Sequence, residues 1–161
     1  MKTLVPILVI VGLLAASLAL ASPAADPLAG IRVHAGYVKP ADFDGTLLLG
    51  ADYIWKNALA TVNYCKPNDA DDTFWTLEGS YLWRPESDLT WYGGAGLGVA
   101  LATEDPETAL IWNVVVGKEF PMKNNAGKGG VPYAEARYTF GSTSNMDENI
   151  DGLRLTVGWR F

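Results

Sequence analysis

From Ile31 to Phe161, apolar side chains fall at alternate positions, in segments of about ten residues separated by polar turns. A repeat of two is the period of a β-strand; a helix needs three to four. Ile31, Val33, Ala35 and Tyr37 share one face against Arg32, His34 and Gly36. Leu47, Leu49, Ala51, Tyr53 and Trp55 alternate with Thr46, Leu48, Gly50 and Asp52, and the pattern returns near residues 60, 77, 97, 114, 136 and 157. Strands of this length cross a bilayer when tilted. The chain is thus expected to be all-β, an eight-stranded antiparallel up-and-down transmembrane β-barrel.

The composition of the two faces separates a membrane barrel from a soluble one. Arg32, Asp52, Glu78, Glu119, Glu135, Arg137, Arg154 and Arg160 all fall on the face opposite the apolar residues. In a soluble barrel that face would meet water; in a membrane barrel it lines the lumen. The aromatics favour the second arrangement. Trp55, Trp83, Trp91, Phe120, Trp159 and Phe161 sort to one rim, and Tyr37, Tyr64, Trp75, Trp112, Tyr138 and Phe140 to the other. Two aromatic girdles around an aliphatic band suit two membrane–water interfaces. An eight-stranded lumen is narrow enough for side chains to fill. The eight inward charges, four acids and four bases, are therefore expected to pair as a structural network, with Gly94, Gly96, Gly98 and Ala100 leaving room for them.

The start of the chain reads as an address. Lys2 precedes an apolar run from Leu4 to Leu20, followed by Ala19-Leu20-Ala21 and Ser22-Pro23, the make-up of a secretory signal peptide. Residues 1–21 are expected to be removed, with cleavage as late as residue 25 equally consistent, leaving 22–161 as a single barrel domain. An uncleaved anchor is the alternative, because the run approaches the length of a spanning helix.

Charge and rare residues exclude several other classes. With 18 Asp+Glu against 12 Lys+Arg, a net charge of −6 argues against nucleic acid as a partner. One Cys and one His leave no disulfide framework and no structural zinc site. Most of the acids gather in four expected outer loops at roughly 39–45, 66–73, 102–109 and 141–151. Asp69, Asp71, Asp72, Glu104, Asp105 and Glu107 are the candidates there for loosely bound divalent cations, which could bridge to anionic lipid phosphates; no other cofactor is expected. Simple solubility accounts for the same acids, and their spacing matches no EF-hand loop. The inner turns carry Lys56, Lys118, Lys123 and Lys128 instead.

With the leader, the alternating strands, the run Tyr92-Gly93-Gly94-Ala95-Gly96-Leu97-Gly98 and the ending Gly-Leu-Arg-Leu-Thr-Val-Gly-Trp-Arg-Phe, the mature chain resembles the small outer-membrane barrels of the OmpA/OmpX and opacity-protein type along its whole length. The resemblance implies that Leu153, Leu155, Val157, Trp159 and Phe161 form the terminal signal read by the barrel-assembly machinery. It also implies outer-membrane lipid and lipopolysaccharide as surroundings.

The expected function is non-enzymatic: a structural or surface-interaction role in the bacterial envelope. A narrow pore or carrier for small solutes is the main alternative; a soluble lipid-binding barrel and a lipid A-modifying enzyme are further ones. Lipid A deacylases of this architecture resemble a His-Ser-acid hydrolase with a His-x-Ser pair, whereas His34 is followed by Ala35 and Gly36. His34 is expected to be a lumen residue and Cys65 an inert thiol. Closed edges give no strand-pairing reason to assemble, so a monomer is expected.

Overall fold

The computed structural model describes residues 29–41, 44–67, 73–103, 108–121, 130–142 and 151–161. The leader expected over residues 1–21 lies outside them. Eight strands follow in order: β1 (Gly30–Pro40), β2 (Thr46–Trp55), β3 (Ala58–Cys65), β4 (Phe74–Trp83), β5 (Trp91–Ala102), β6 (Thr108–Glu119), β7 (Val131–Ser142) and β8 (Gly152–Arg160). Each pairs antiparallel with the next, and β8 returns to β1, so the sheet closes into a barrel. Arg32 stands at the seam, opposite Asp52 on one side and Arg160 on the other.

Three strands outrun their expected ends, β7 by continuing through Gly141 and Ser142, which pair with Ile111 and Leu110. β1 continues through Lys39 and Pro40, which pair with Leu153 and Gly152, and β5 continues to Ala102 opposite Phe74. Cross-strand partners hold these residues in the sheet, although polar and small residue types suggested loops there.

Two joins are short at the end that carries both termini of the sheet. Lys56 and Asn57 alone connect β2 to β3, and Lys56 adopts a left-handed backbone with φ of 53°. Between β4 and β5, Asp88 closes the turn: its carboxylate accepts the Thr90 hydroxyl at 2.5 Å and the Thr90 backbone N–H at 3.0 Å. Those two bonds, the hydroxyl first, hold the Asp88 carboxyl below the usual carboxylate range.

The distribution of side chains is inverted relative to a soluble protein. Outside, Leu47 is 77 % exposed, Trp83 64 % and Val157 64 %, while inside Arg32 is fully buried. Soluble proteins rarely expose contiguous apolar surface on this scale. The register also sorts the aromatics. Trp55, Trp83, Trp91, Phe120 and Phe161 lie at the turn end, all exposed. Tyr64 faces Trp75 and Trp112 faces Phe140 nearer the loop end, the first pair with ring centres 5.0 Å apart.

Candidate functional site

The interior of the barrel is where the chemistry-bearing residues converge, because alternation turns one side chain in two inward on every strand. Two ionic groups and two apolar clusters occupy it among the described residues.

The middle layer is ionic. Glu78 on β4 accepts from two arginines of distant strands. Arg154 approaches Oε1 at 2.6 Å and Oε2 at 2.8 Å, and Arg137 approaches Oε2 at 2.8 Å. Asn63, Asn113 and Thr76 add hydrogen bonds to the same carboxylate. Arg137 also reaches Glu135 at 2.8 Å, and Glu135 is shared with Arg32 at 2.9 Å. Arg32 completes the chain of charges at Asp52, 3.2 Å away. Each carboxylate thus faces at least one guanidinium, as buried charge requires.

Two tyrosines stitch this layer together. The Tyr92 hydroxyl donates to Glu135 at 2.9 Å and accepts from Arg32 at 3.0 Å. The Arg32 guanidinium carbon lies 3.5 Å from the centre of the Tyr133 ring, a close cation–π contact. Tyr133 also donates toward Asp52 at 3.2 Å, and its oxygen lies 3.1 Å from His34 Nδ1. His34 Nε2 meets Asn63 Oδ1 at 2.7 Å, so both ring nitrogens are engaged. Both tyrosine rings depend on glycines of the neighbouring strands. A Cβ at Gly117 would run into the Tyr92 ring, and one at Gly158 would come within 2.7 Å of the Tyr133 ring.

A second ionic group sits nearer the turn end. Arg84 and Arg160 share Glu119, at 3.1 and 3.2 Å. Arg84 also donates to the Leu89 carbonyl at 2.6 Å and lies 5.0 Å from the centre of the Tyr92 ring. Arg84, just past the end of β4, was not among the eight expected lumen charges. Among the described residues, the lumen ion pairs involve five arginines, Arg32, Arg84, Arg137, Arg154 and Arg160, against four carboxylates. The expected equality of signs is therefore corrected to an excess of one arginine.

Apolar clusters flank the middle layer on both sides. Leu48, Cys65, Phe74, Ala100, Ala109 and Ile111 pack together toward the loops, and all but Ala109 line a cavity of about 60 Å³ together with Asn63, Thr76 and Arg154. Ile54, Leu59, Leu82, Tyr92 and Val115 form the other cluster. Parity alone puts Leu48, Cys65, Tyr92, Ala100 and Val115 on the inner face, whereas Ile54, Leu82 and Ile111 were not expected there. The available signal was three successive apolar residues, as in Tyr81-Leu82-Trp83, where a half-buried strand should alternate.

The remaining candidates divide by position. Leu153, Leu155 and Val157 face outward on β8, Trp159 is half-buried, and Phe161 is exposed with its N–H donating to the Ile31 carbonyl at 2.8 Å. The cation candidates Asp69, Asp71, Asp72, Glu104, Asp105 and Glu107 lie outside the described residues. Among the described residues, no group of three or more His, Cys, Asp or Glu is placed to hold a metal ion.

A closed antiparallel barrel of eight strands, with charges paired inside and apolar residues outside, is the class that fold and lumen define. Solved structures share the fold. The chain is similar to neisserial surface protein A (NspA), with a TM-score of 0.58 and 18 % identity over 82 % of this chain and 95 % of that one. It is similar at a TM-score of 0.57 and 13 % identity to a barrel from work on the de novo design of transmembrane β-barrels, again over 82 % of this chain and 95 % of the other. The designed protein TMB2.3 gives 0.56 and 14 %, over 85 % and 98 %. No family model matches the chain, and no curated protein matches it.

Proposed function

We propose that the chain is an integral outer-membrane β-barrel, non-enzymatic, with a structural or surface-interaction role in the bacterial envelope. The observation that carries this reading is the inversion of polarity: Leu, Val and Trp form the outer wall while arginines and carboxylates pair inside. A wall of that kind is stable against hydrocarbon and aggregates in water. The leader read from residues 1–21 and the aromatic belts point the same way, and the fold neighbours include designed transmembrane barrels.

Two ionic groups and two apolar clusters occupy the described part of the lumen, which weighs against a continuous aqueous path and favours a filled barrel over a pore. The Leu153–Phe161 strand would serve the assembly machinery, and the acid-rich loops would face lipopolysaccharide. Membrane fractionation of the expressing bacterium tests the reading. Recovery in the outer membrane, with gel migration that changes on boiling, is the expected result; a soluble periplasmic product overturns it.

A further inference from the structure

Lys118 is out of place on the outer wall. Among the described strand residues that face outward, only Lys39, next to the loop end of β1, and Lys118, one residue inside the turn end of β6, carry charge. The Lys118 ammonium lies 4.7 Å from the centre of the Trp91 ring and 5.9 Å from that of Phe120. Its strand partners are Trp91 on β5 and Ala134 on β7.

Ala134 marks the edge of a hollow. Ala134 and Ala136 floor a groove of about 460 Å³, walled by Val116 on one side and Leu155 on the other, with Lys118 at its rim. A lipid-facing wall of Leu, Val and aromatic side chains is interrupted where β7 offers only methyl groups. The ammonium therefore stands beside an apolar slot open along the barrel surface. Asp88 in the β4–β5 turn attracts Lys118, but its carboxylate is engaged by Thr90.

We infer that this groove is a binding site for one anionic phospholipid of the leaflet on the turn side, with its phosphate on Lys118 and one acyl chain along Ala134 and Ala136. The inference rests on the membrane reading proposed above. Charge complementarity selects the ligand: a cation backed by two rings recognises phosphate, and a zwitterionic headgroup carries its own competing cation. The acid-rich loops lie at the opposite end of the barrel, so the turn side is the end remote from lipopolysaccharide in that reading.

The test uses the whole mature chain, folded into vesicles of phosphatidylcholine alone or mixed with phosphatidylglycerol, extracted gently and weighed by native mass spectrometry. One retained phosphatidylglycerol per barrel is expected, and no retained phosphatidylcholine. Lys118→Gln should lower that retention about fivefold, the effect of one lysine charge near a membrane surface. Ala136→Phe, which fills the slot and keeps the cation, should lower it as well. Lys56→Gln, removing the lysine that lies 5.0 Å from the Trp55 ring, should leave it unchanged. A chain that enters vesicles but retains both lipids alike, or retains phosphatidylglycerol equally in Lys118→Gln, overturns the site and leaves the membrane reading standing. A chain that never enters vesicles overturns both.

Discussion

Glu78 and Arg154 meet as a two-pronged ion pair across the barrel, 2.6 and 2.8 Å between their paired atoms, from strands β4 and β8 that are not neighbours in the sheet. Arg137 on β7 joins the same carboxylate. The pair therefore links opposite parts of the wall, which ladder hydrogen bonds between adjacent strands cannot do.

Removing that carboxylate leaves Arg154 buried without its carboxylate partner and takes one of two carboxylates from Arg137. Glu78→Ala should cost about 3–5 kcal/mol, the scale for breaking a buried pair from one side. Glu119→Ala should cost less, about 2 kcal/mol, because the Arg160 side chain is 12 % exposed and can turn to water. Urea titration of the boiling-sensitive gel form gives both values, and the reverse order would refute the central place of Glu78.

Two glycines on adjacent strands should respond with opposite sign. A Cβ at inward-facing Gly96 would collide with the Gly79 carbonyl and the Ser80 side chain, so Gly96→Ala should cost about 1–3 kcal/mol. Outward-facing Gly79 has nothing within 4 Å of its Cβ position. Gly79→Ala should raise stability by about 0.4–1 kcal/mol through a less flexible unfolded chain. The same titration compares them.

Lys56 holds a left-handed conformation that costs a non-glycine residue about 1–2 kcal/mol. Glycine relieves that strain and gives back about 0.4–1 kcal/mol in unfolded-chain entropy. Lys56→Gly should therefore stabilise the barrel by about 0.5–1 kcal/mol, read as a shift of the urea midpoint to higher concentration.

Phe161 separates assembly from stability. Its side chain is 70 % exposed, and its backbone contributes one hydrogen bond to Ile31. Deleting it should sharply reduce the outer-membrane yield in cells while changing stability in detergent by only about 0.5–1.5 kcal/mol. Equal loss in both measurements would mean a packing role alone.

The strands were legible because alternation survives in a sheet that has one wet face and one greasy face. Arg32, Asp52, Glu78, Glu135 and Arg137 could be assigned to the inner face from their parity alone. Their partners could not, since pairing across the lumen depends on strand tilt and stagger, which no local pattern encodes. Arg84 shares the parity of Glu78 but borders the Pro85-Glu86 turn and was left out of the expected lumen charges, yet its side chain reaches Glu119. Tyr133 shares the parity of Glu135 and Arg137, but nothing local shows that Gly158 on β8 leaves room for its ring. Ile54 and Leu82 were obscured by outward apolar neighbours on both sides.

The β1–β8 seam has a consequence for timing. Arg32 finds its second strand partner only in Arg160, almost the whole length of the sheet later in the chain. Until β8 is in place, β1 keeps an open row of amide and carbonyl groups, and hydrocarbon offers them no partner. On the membrane reading proposed above, no part-built barrel would wait stably in a bilayer for its last strand. Folding would then await the completed β8, and the polypeptide would have to reach the bilayer still pliable and shielded from other chains.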